Sequence, residues 1–430
     1  LKKPEAAIPI YQKLSEEEGN PQADQALLNL ATLYFETEKF TNAADAYSAI
    51  EQKFPNSDLV PSARLNAGYA WYQVGDYRKA IRQFDLASQD KKQEMLATYW
   101  KGVSHKSLGE YDQAAGIWQA AYASGTAGPL ADKILYQWGD CEFRSKDYAT
   151  AKDLFLKVVA EAPKSDFAED SLHLAGEAAL YFAREANEPD PRLKRLDEAE
   201  QIINSFPIKY PNSALSMHQD MLKARLLYVQ GGDDRYTEAA SRLKSVIEKS
   251  TLESTRLMAR FHLGRTLQKL EKHAEVVDVM APVVDEIKKT GVSSEFLSGL
   301  VVVSLSHVAL NQEEPAIARL TAYLELAPDG TEADLALAGR ALAQAKLKHK
   351  VEAKQDLLAL QAKFPNSPLL PERAYQIAEM AYDEKDWPWA AELFTLVVKL
   401  GDKTNYHTRA LHGLAWTEFQ NENFLEAATD

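Results

Sequence analysis

One stretch of the sequence decides the fold: Gly68-Tyr-Ala-Trp-Tyr-Gln-Val-Gly-Asp-Tyr-Arg-Lys-Ala80-Ile-Arg-Gln-Phe84. The small residue Gly68 allows a neighbouring helix to approach closely, and Gly75-Asp76 is typical of a tight turn. After the turn, apolar residues recur at i, i+4 and i+7, which places them on one face of a helix: Ala80, Phe84 and Ala87. The stretch therefore predicts two helices joined by a short turn.

The same pattern recurs along all 430 residues. Most units carry a small residue twelve positions before the anchor alanine, an aromatic residue or histidine three before it, and a large apolar residue four after it. The anchors are Ala43, Ala80, Ala114, Ala151, Ala199, Ala239, Val276, Ala316, Ala353, Ala390 and Ala427. A repeat at this period indicates helix pairs that bury their apolar faces against neighbouring pairs.

The order of small residue, turn, aromatic residue, alanine and large apolar residue resembles the tetratricopeptide repeat (TPR) family. The resemblance implies an all-α fold, a right-handed superhelical solenoid of about ten repeats. Six of the ten spacings are 37 residues, and the extra residues fall at Phe54-Pro-Asn-Ser57, Tyr210-Pro-Asn-Ser213 and Phe364-Pro-Asn-Ser367. Because proline cannot continue a helix and Asn or Ser can cap one, we expect each motif to end one helix and begin the next.

The spacing divides the chain into four parts. We expect a partial repeat with only a second helix in residues 1–20, a first TPR block in 21–165, and a second, truncated block in 214–430. Between the blocks, residues 166–213 hold an irregular repeat in which Asn187-Glu-Pro-Asp-Pro191 predicts a protruding proline-rich loop. Neither end carries a polar capping helix, so we expect the chain to be a slice of a longer array, with any targeting segment outside it.

Composition narrows the possible partners. With 63 acidic and 49 basic residues the formal net charge is −14, which disfavours binding to nucleic acid. No run of apolar residues is long enough to predict a direct membrane span. The single cysteine, Cys141, excludes an intrachain disulfide framework and is expected to be a helical, partly buried thiol.

No pattern of residues predicts catalysis or a bound cofactor. The sequence contains no GxSxG, P-loop or GxGxxG motif, and the nine histidines include no HExxH pair. His105 and His273 occupy repeat core or turn positions, which favours a structural role for both. We therefore expect a protein without an enzymatic activity, a cofactor or a metal site.

The remaining candidate site is the groove. In a TPR superhelix the first helices line the concave surface, and the residues three before, one after and four after the small residue tend to face it. These positions are Leu65, Tyr69, Tyr72, Tyr99, Val103, Lys106, Tyr136, Asp140 and Phe143. Because tyrosine provides contact area at low entropic cost, this ladder predicts a binding site for a protein or peptide partner. The alternative is that several of these residues belong to the core between repeats.

A second aromatic cluster occurs near the C-terminal end: Tyr375, Tyr382, His412, Trp416 and Phe419. Because this cluster precedes the end of the sequence, its residues are expected to pack against a following repeat. The Lys and Asn pair with which some TPR proteins bind chaperone C-terminal carboxylates is missing, since the first repeat has Leu28 and Thr32 at those positions. Binding of chaperone tails is therefore disfavoured.

The Phe/Tyr-Pro-Asn-Ser motif resembles the TPRs of bacterial envelope proteins such as the Tol-Pal coordinator and the outer-membrane assembly lipoprotein. This resemblance implies a non-catalytic scaffold for protein partners in a cell-envelope complex, in the periplasm or envelope. A cytoplasmic protein remains the alternative, because cytosolic TPRs use the same stop signal. Two other readings also stay open: a docking or regulatory region of a larger protein, and a structural element that associates with itself.

Overall fold

The fold consists of α-helices packed in consecutive pairs. The computed structural model describes residues 4–290, 296–401 and 405–421, and these residues form 22 α-helices and two short 3-10 helices at Pro4–Ala7 and Gly128–Leu130. Helices α2 to α21 form ten successive pairs, with α1 before them and α22 after them. The prediction of an all-α TPR-like solenoid is confirmed.

The helices alternate between the first and the second member of a pair. The first helices are α2 (Ala23–Glu36), α4 (Val60–Val74), α6 (Glu94–Ser107), α8 (Ala131–Arg144), α10 (Ala168–Arg184), α12 (Ser216–Gln230), α14 (Glu253–Lys269), α16 (Ser298–Ala309), α18 (Ala333–Lys346), α20 (Leu369–Asp383) and α22 (His407–Gln420). The second helices are α1 (Ile8–Glu16), α3 (Phe40–Lys53), α5 (Tyr77–Ala87), α7 (Tyr111–Ser124), α9 (Tyr148–Glu161), α11 (Pro189–Lys209), α13 (Asp233–Lys249), α15 (His273–Thr290), α17 (Glu313–Leu326), α19 (Lys350–Lys363) and α21 (Trp387–Lys399).

The chain forms two compact units, Leu1–Leu222 and Lys223–Asp430. Consecutive helices pack against each other from α1 to α11 in the first unit and from α13 to α22 in the second. All predicted anchors from Ala43 to Ala390 are fully buried, whereas Ala427 lies outside the described residues. The boundaries predicted for the two TPR blocks stay predictions.

Each turn inside a regular pair uses one residue in the left-handed region of backbone space. This residue lies five positions before the anchor, and its φ is 87° at Gly75 and 75° at Gly109. Non-glycine residues adopt the same conformation in other repeats, with φ of 67° at Lys146 and 62° at Lys385. The turn geometry is therefore the same in repeats that have no glycine at this position, although a non-glycine residue adopts it at a higher energetic cost.

Glycine allows a close approach between the two helices of a pair. A Cβ atom added to Gly102 of α6 would lie 2.4 Å from Cε2 of Trp118, a fully buried ring of α7. The Trp118 indole also donates a hydrogen bond from Nε1 to the Tyr99 carbonyl oxygen at 3.3 Å. The small residue of the repeat thus fits the large apolar residue that follows the anchor.

The Pro-Asn-Ser motifs tie helices together as well as separating them. Ser57 Oγ donates to Asp24 Oδ2 at 2.6 Å, and Asp24 is the second residue of α2. Equivalent bonds join Ser165 to Asp132, Ser213 to Glu169 and Ser367 to Asp334. The same Ser57 oxygen accepts the Leu59 N–H at 3.2 Å, but no side chain caps α4. The expectation that this residue caps the incoming helix is therefore wrong for α4, where it instead joins that helix's start to the preceding first helix.

The irregular repeat contains no protruding loop of the predicted kind. Only residues 185–188 separate α10 from α11, and the extra residues lengthen the two helices instead. Pro189 and Pro191 lie in the first turn of α11, where backbone N–H groups have no acceptor within the helix. Arg195 ties the extension to α10, because its guanidinium donates to the Phe182 carbonyl at 2.9 Å and lies 3.6 Å from the Phe182 ring centroid. Prolines that were expected to lie in a loop thus begin a helix.

Candidate partner-binding surface

In the first unit, the predicted groove residues of α4 pack against neighbouring repeats. Leu65 is buried, with 5% of its surface exposed. The Tyr69 ring centroid lies 5.5 Å from that of Phe84 and 5.2 Å from that of Trp100, both in edge-to-face geometry. Burial raises the pKa of Tyr69 to about 12. Leu65 therefore belongs to the core, and Tyr69 stabilises the contact between α4 and α6.

Tyr72 has both a packing contact and a polar contact with α6. Its ring centroid lies 5.2 Å from that of Trp100 and 5.2 Å from that of Tyr77. Its hydroxyl oxygen is 3.2 Å from Ser107 Oγ. A partner reaching this position would meet a side chain already held by three neighbours.

Two further tyrosines on α6 and α8 are half-buried. The Tyr99 ring lies against Trp118 at 6.4 Å between centroids, and the Tyr136 ring lies against Phe167 at 4.9 Å. Burial raises the pKa of both tyrosines. The alternative that these residues contribute to inter-repeat packing is supported by the contacts, and their binding to a partner stays a prediction.

The charged candidates neutralise each other. Lys106 Nζ of α6 lies 2.6 Å from Asp140 Oδ2 of α8, and Arg144 Nε donates to the same oxygen at 2.8 Å. Lys106 Nζ also donates to Gln137 Oε1 at 2.6 Å. This network joins α6 to α8, so Lys106 and Asp140 are not isolated charges that await a ligand.

Phe143, the last predicted groove residue, joins α8 to α10. Its ring centroid lies 5.6 Å from that of Tyr181, which is stacked on Tyr148 at 5.0 Å. Trp100, two positions before the small residue Gly102, was not among the predicted residues, although it contacts Tyr69, Tyr72 and Tyr99. The sequence feature that could have identified Trp100 is its size, because most repeats have a smaller residue at this position.

In the second unit, a cleft of about 600 Å³ lies between α20 and α22. Phe394 of α21 also lines it, as a buried residue. The remaining lining residues are Tyr375, Glu379, Tyr382, Asp383, Arg409, His412, Gly413 and Trp416. Four of the five residues of the predicted C-terminal aromatic cluster are among them, and the fifth, Phe419, packs edge-to-face on Trp416 at 6.0 Å.

The cleft occupies repeat positions that Trp100 contacts in the first unit. Gly413 lies two residues before the small residue of its repeat, as Trp100 does, and Tyr382 is the equivalent of Tyr72. A Cβ atom on Gly413 would lie 2.6 Å from Phe394 Cζ, so the ring of the second helix reaches the backbone of α22. Phe394 therefore occupies the position that a side chain at residue 413 would take, and the cleft lies beside it between α20 and α22.

Polar groups in the cleft are held in place by their neighbours. The Tyr375 hydroxyl donates to Glu379 Oε1 at 2.7 Å, and burial, with the nearby Glu379 carboxylate, raises the Tyr375 pKa to about 12. Trp416 Nε1 donates to His412 Nε2 at 3.0 Å. About half of the Trp416 surface is exposed (49%). The cleft therefore presents an aromatic surface with oriented polar groups, which is the usual composition of a ligand-binding site.

The described residues offer little for metal or nucleophile chemistry. They contain no group of three or more His, Cys, Asp or Glu side chains placed to hold a metal ion. Cys141 is fully buried, and burial raises its pKa to about 12. The thiol is helical as predicted but fully instead of partly buried, and such a thiol is a poor nucleophile. None of the helices in the described ranges is long and apolar enough to cross a membrane.

Ten successive helix pairs with a recurring small-to-large contact define a helical-repeat protein. The sequence pattern of the tetratricopeptide repeat family matches residues 1–58 and 99–166. The chain therefore contains tetratricopeptide repeats, and proteins built from them typically mediate protein–protein interactions and are typically non-catalytic. No curated protein matches the sequence.

Several solved structures resemble the chain at low identity. A TPR protein from Parabacteroides merdae is 14% identical, with 75% of this chain and 99% of that chain covered and a TM-score of 0.41. The C-terminal part of a TPR protein from Cytophaga hutchinsonii is 16% identical, with 59% and 93% covered and a TM-score of 0.44. Yeast Tom70 is 12% identical, with 93% and 96% covered and a TM-score of 0.35. No functional conclusion follows from similarity at this level.

Proposed function

We propose that this protein is a non-catalytic scaffold that binds a segment of a protein partner in the cleft between α20 and α22. The observation that carries the proposal is an open cleft of about 600 Å³ at repeat positions where side chains from the first unit pack together. Trp416 in the cleft and Phe419, which packs on it, are 49% and 50% exposed. Exposed aromatic residues around a concave site are typical anchors of protein interfaces.

The dimensions and chemistry of the cleft suit a peptide. A volume of several hundred cubic ångströms accommodates a few side chains, and two parallel helix faces with polar groups can orient them. In the first unit, Tyr69, Tyr99 and Tyr136 form a weaker candidate, because half-buried rings offer less free surface. They contribute to binding in this proposal only through their exposed edges.

The cellular setting is part of the proposal. The Phe/Tyr-Pro-Asn-Ser turns favour a complex in the bacterial periplasm or cell envelope, of the kind in which the Tol-Pal coordinator and the outer-membrane assembly lipoprotein act. The cytoplasm is the alternative setting. A docking region of a larger protein and a self-associating element are alternative functions. Fractionation of the native organism, with an antibody to this chain, tests the compartment, and a chain found only with cytoplasmic markers would contradict the envelope assignment.

Affinity capture tests the binding site. Wild-type protein is compared with Trp416→Ala and with Leu358→Ala, a control on α19 whose side chain is equally exposed at 48%. We expect a partner captured by the wild type and by the control to be lost from the Trp416 variant, and then to bind the wild type after purification. If every captured protein is retained by Trp416→Ala and Tyr382→Ala, the cleft is not the binding site.

Light scattering over a range of protein concentrations separates this function from self-association. A monomer at all concentrations is expected for an adaptor. A concentration-dependent mass that disappears in Trp416→Ala would instead assign the cleft to contacts between copies of the chain.

A further inference from the structure

We infer that one end of this cleft recognises a lysine or arginine side chain of the partner. The inference rests on the proposed function and adds the chemical class of the bound segment. At this end, the exposed Asp383 carboxylate lies with Tyr382 and Trp416 around the same cavity, and Glu379 lies one turn away on α20. Aromatic faces attract cations through their quadrupole, and a carboxylate adds an ion pair.

The carboxylate of Asp383 is free to accept such a cation. Within the described ranges it forms no hydrogen bond or ion pair, although its neighbour Glu384 is paired with Lys348 at 3.3 Å. Among the described residues, Glu379 accepts a hydrogen bond from the hydroxyl of Tyr375, which leaves its second oxygen for a ligand. Asp383 has no cation partner within the described ranges.

The arginine of the cleft, Arg409, lies at its other end. Arg409 interacts electrostatically with Tyr375, and Tyr375 precedes Asp383 by eight residues on α20. At a helical rise of about 1.5 Å per residue this separation is about 12 Å. Because salt screens charges beyond about 8 Å under physiological conditions, Arg409 does little to neutralise the carboxylate at Asp383.

The aromatic residues at this end are fixed before a ligand arrives. The Tyr382 ring packs edge-to-face on Trp387 at 5.0 Å, and the Trp416 indole is held by its hydrogen bond to His412 at 3.0 Å. A site whose side chains are already oriented loses less entropy when it binds. The fixed rings thus favour recognition of a cation over a non-specific apolar contact.

Charge complementarity selects a basic peptide as the occupant. The whole chain carries a formal net charge of −14, so its average field attracts basic segments. Residues 422–430, which follow α22, have the sequence Glu-Asn-Phe-Leu-Glu-Ala-Ala-Thr-Asp and contain no lysine or arginine. The end of this sequence therefore cannot supply the cation.

Fluorescence anisotropy with labelled peptides tests the inference on the full chain. The probes are a short alanine-rich peptide with lysines and the same peptide with glutamates in their place. We expect the lysine peptide to bind more tightly, and its affinity to fall as salt is raised. The affinity for the lysine peptide should fall by up to about fivefold in Asp383→Asn and in Glu379→Gln, which is the upper range for an exposed ion pair. Trp416→Ala should weaken it by about two- to thirtyfold.

The control variant is Glu352→Gln on α19, which removes an exposed carboxylate outside the cleft and should leave binding unchanged. Equal affinities for the lysine and glutamate peptides would overturn the inference, as would equal losses in Asp383→Asn and the control. Spermine, a small polyamine, is a second probe. If spermine displaces the lysine peptide and binds with the same affinity as the peptide, the site is one for small cations instead. If captured partners are lost from Trp416→Ala while the two peptides bind equally, the proposed function stands and only the cation specificity fails.

Discussion

Replacing glycine by alanine at two positions separates the packing of the repeats from helix propensity. The substitution favours a helix interior by about 1 kcal/mol at any exposed position. Gly116 of α7 is such a position, because its added Cβ atom would have no neighbour within 4 Å. At Gly102 of α6, the added atom would lie 2.4 Å from Cε2 and 2.5 Å from Nε1 of Trp118.

Trp118 cannot easily move away, since its ring is fully buried and its indole donates to the Tyr99 carbonyl. Overpacking of this kind costs about 1–3 kcal/mol, and loss of the hydrogen bond adds about 1 kcal/mol. We therefore expect Gly116→Ala to raise the free energy of unfolding by about 1 kcal/mol. The free energy of unfolding of Gly102→Ala should be about 2–4 kcal/mol lower than that of Gly116→Ala.

Hydrogen exchange followed by mass spectrometry suits this measurement better than a single melting curve, because a repeat array can open locally. Peptides that cover α6 and α7 should exchange faster in Gly102→Ala and more slowly in Gly116→Ala. Peptides from the second unit should be unchanged in both variants. Equal protection of the two variants would refute the close approach of α6 and Trp118.

Three further changes test other parts of the structure. Phe84→Ala, at a fully buried ring, should cost about 3–5 kcal/mol in a urea titration, and Tyr69→Ala clearly less; equal costs would place Tyr69 fully in the core. Ser57→Ala removes the donor to Asp24 and should cost about 1 kcal/mol, seen as faster exchange at the start of α2 and α4; unchanged exchange would assign the bond no role. Burial raises the Cys141 pKa from 9.0 to about 12, so its contribution to stability is complete below pH 9 and is lost as pH approaches 12. Iodoacetamide should label this thiol at pH 8 only after urea unfolding, and rapid labelling of the native chain would contradict its burial.

The array could be predicted from the sequence because its determinants are local and repeated. The anchor residues from Ala43 to Ala390 are all buried, and in the regular repeats the second helix begins three residues before the anchor, as at Tyr77 and Tyr148. Each unit repeats the same small, aromatic and apolar residues at helical spacing. A position that is ambiguous in one repeat can therefore be assigned from the equivalent positions of the others. The irregular repeat has no second copy, and there Pro189 and Pro191 begin a helix instead of forming the predicted loop.

The candidate site was harder to predict because it depends on contacts between repeats. Sequence position selected one face of α4, α6 and α8, but it could not tell an exposed tyrosine from one covered by the next repeat. Tyr69 and Tyr72 both meet Trp100, a residue outside the positions considered. Four residues of the C-terminal cluster line the cleft between α20 and α22, and their packing against a following repeat stays a prediction.

One repeat position differs between the first helices. Two residues before the small residue of the repeat, the chain has Trp100 in α6, Gln137 in α8, Gly339 in α18 and Gly413 in α22. Trp100 makes aromatic contacts, and Gln137 accepts a hydrogen bond from Lys106 and so joins a charged network. At Gly413 the Phe394 ring occupies the place of a side chain, and at Gly339 the Leu305 side chain does. The residue at this position therefore differs between repeats, whereas the anchors that stack the repeats stay buried.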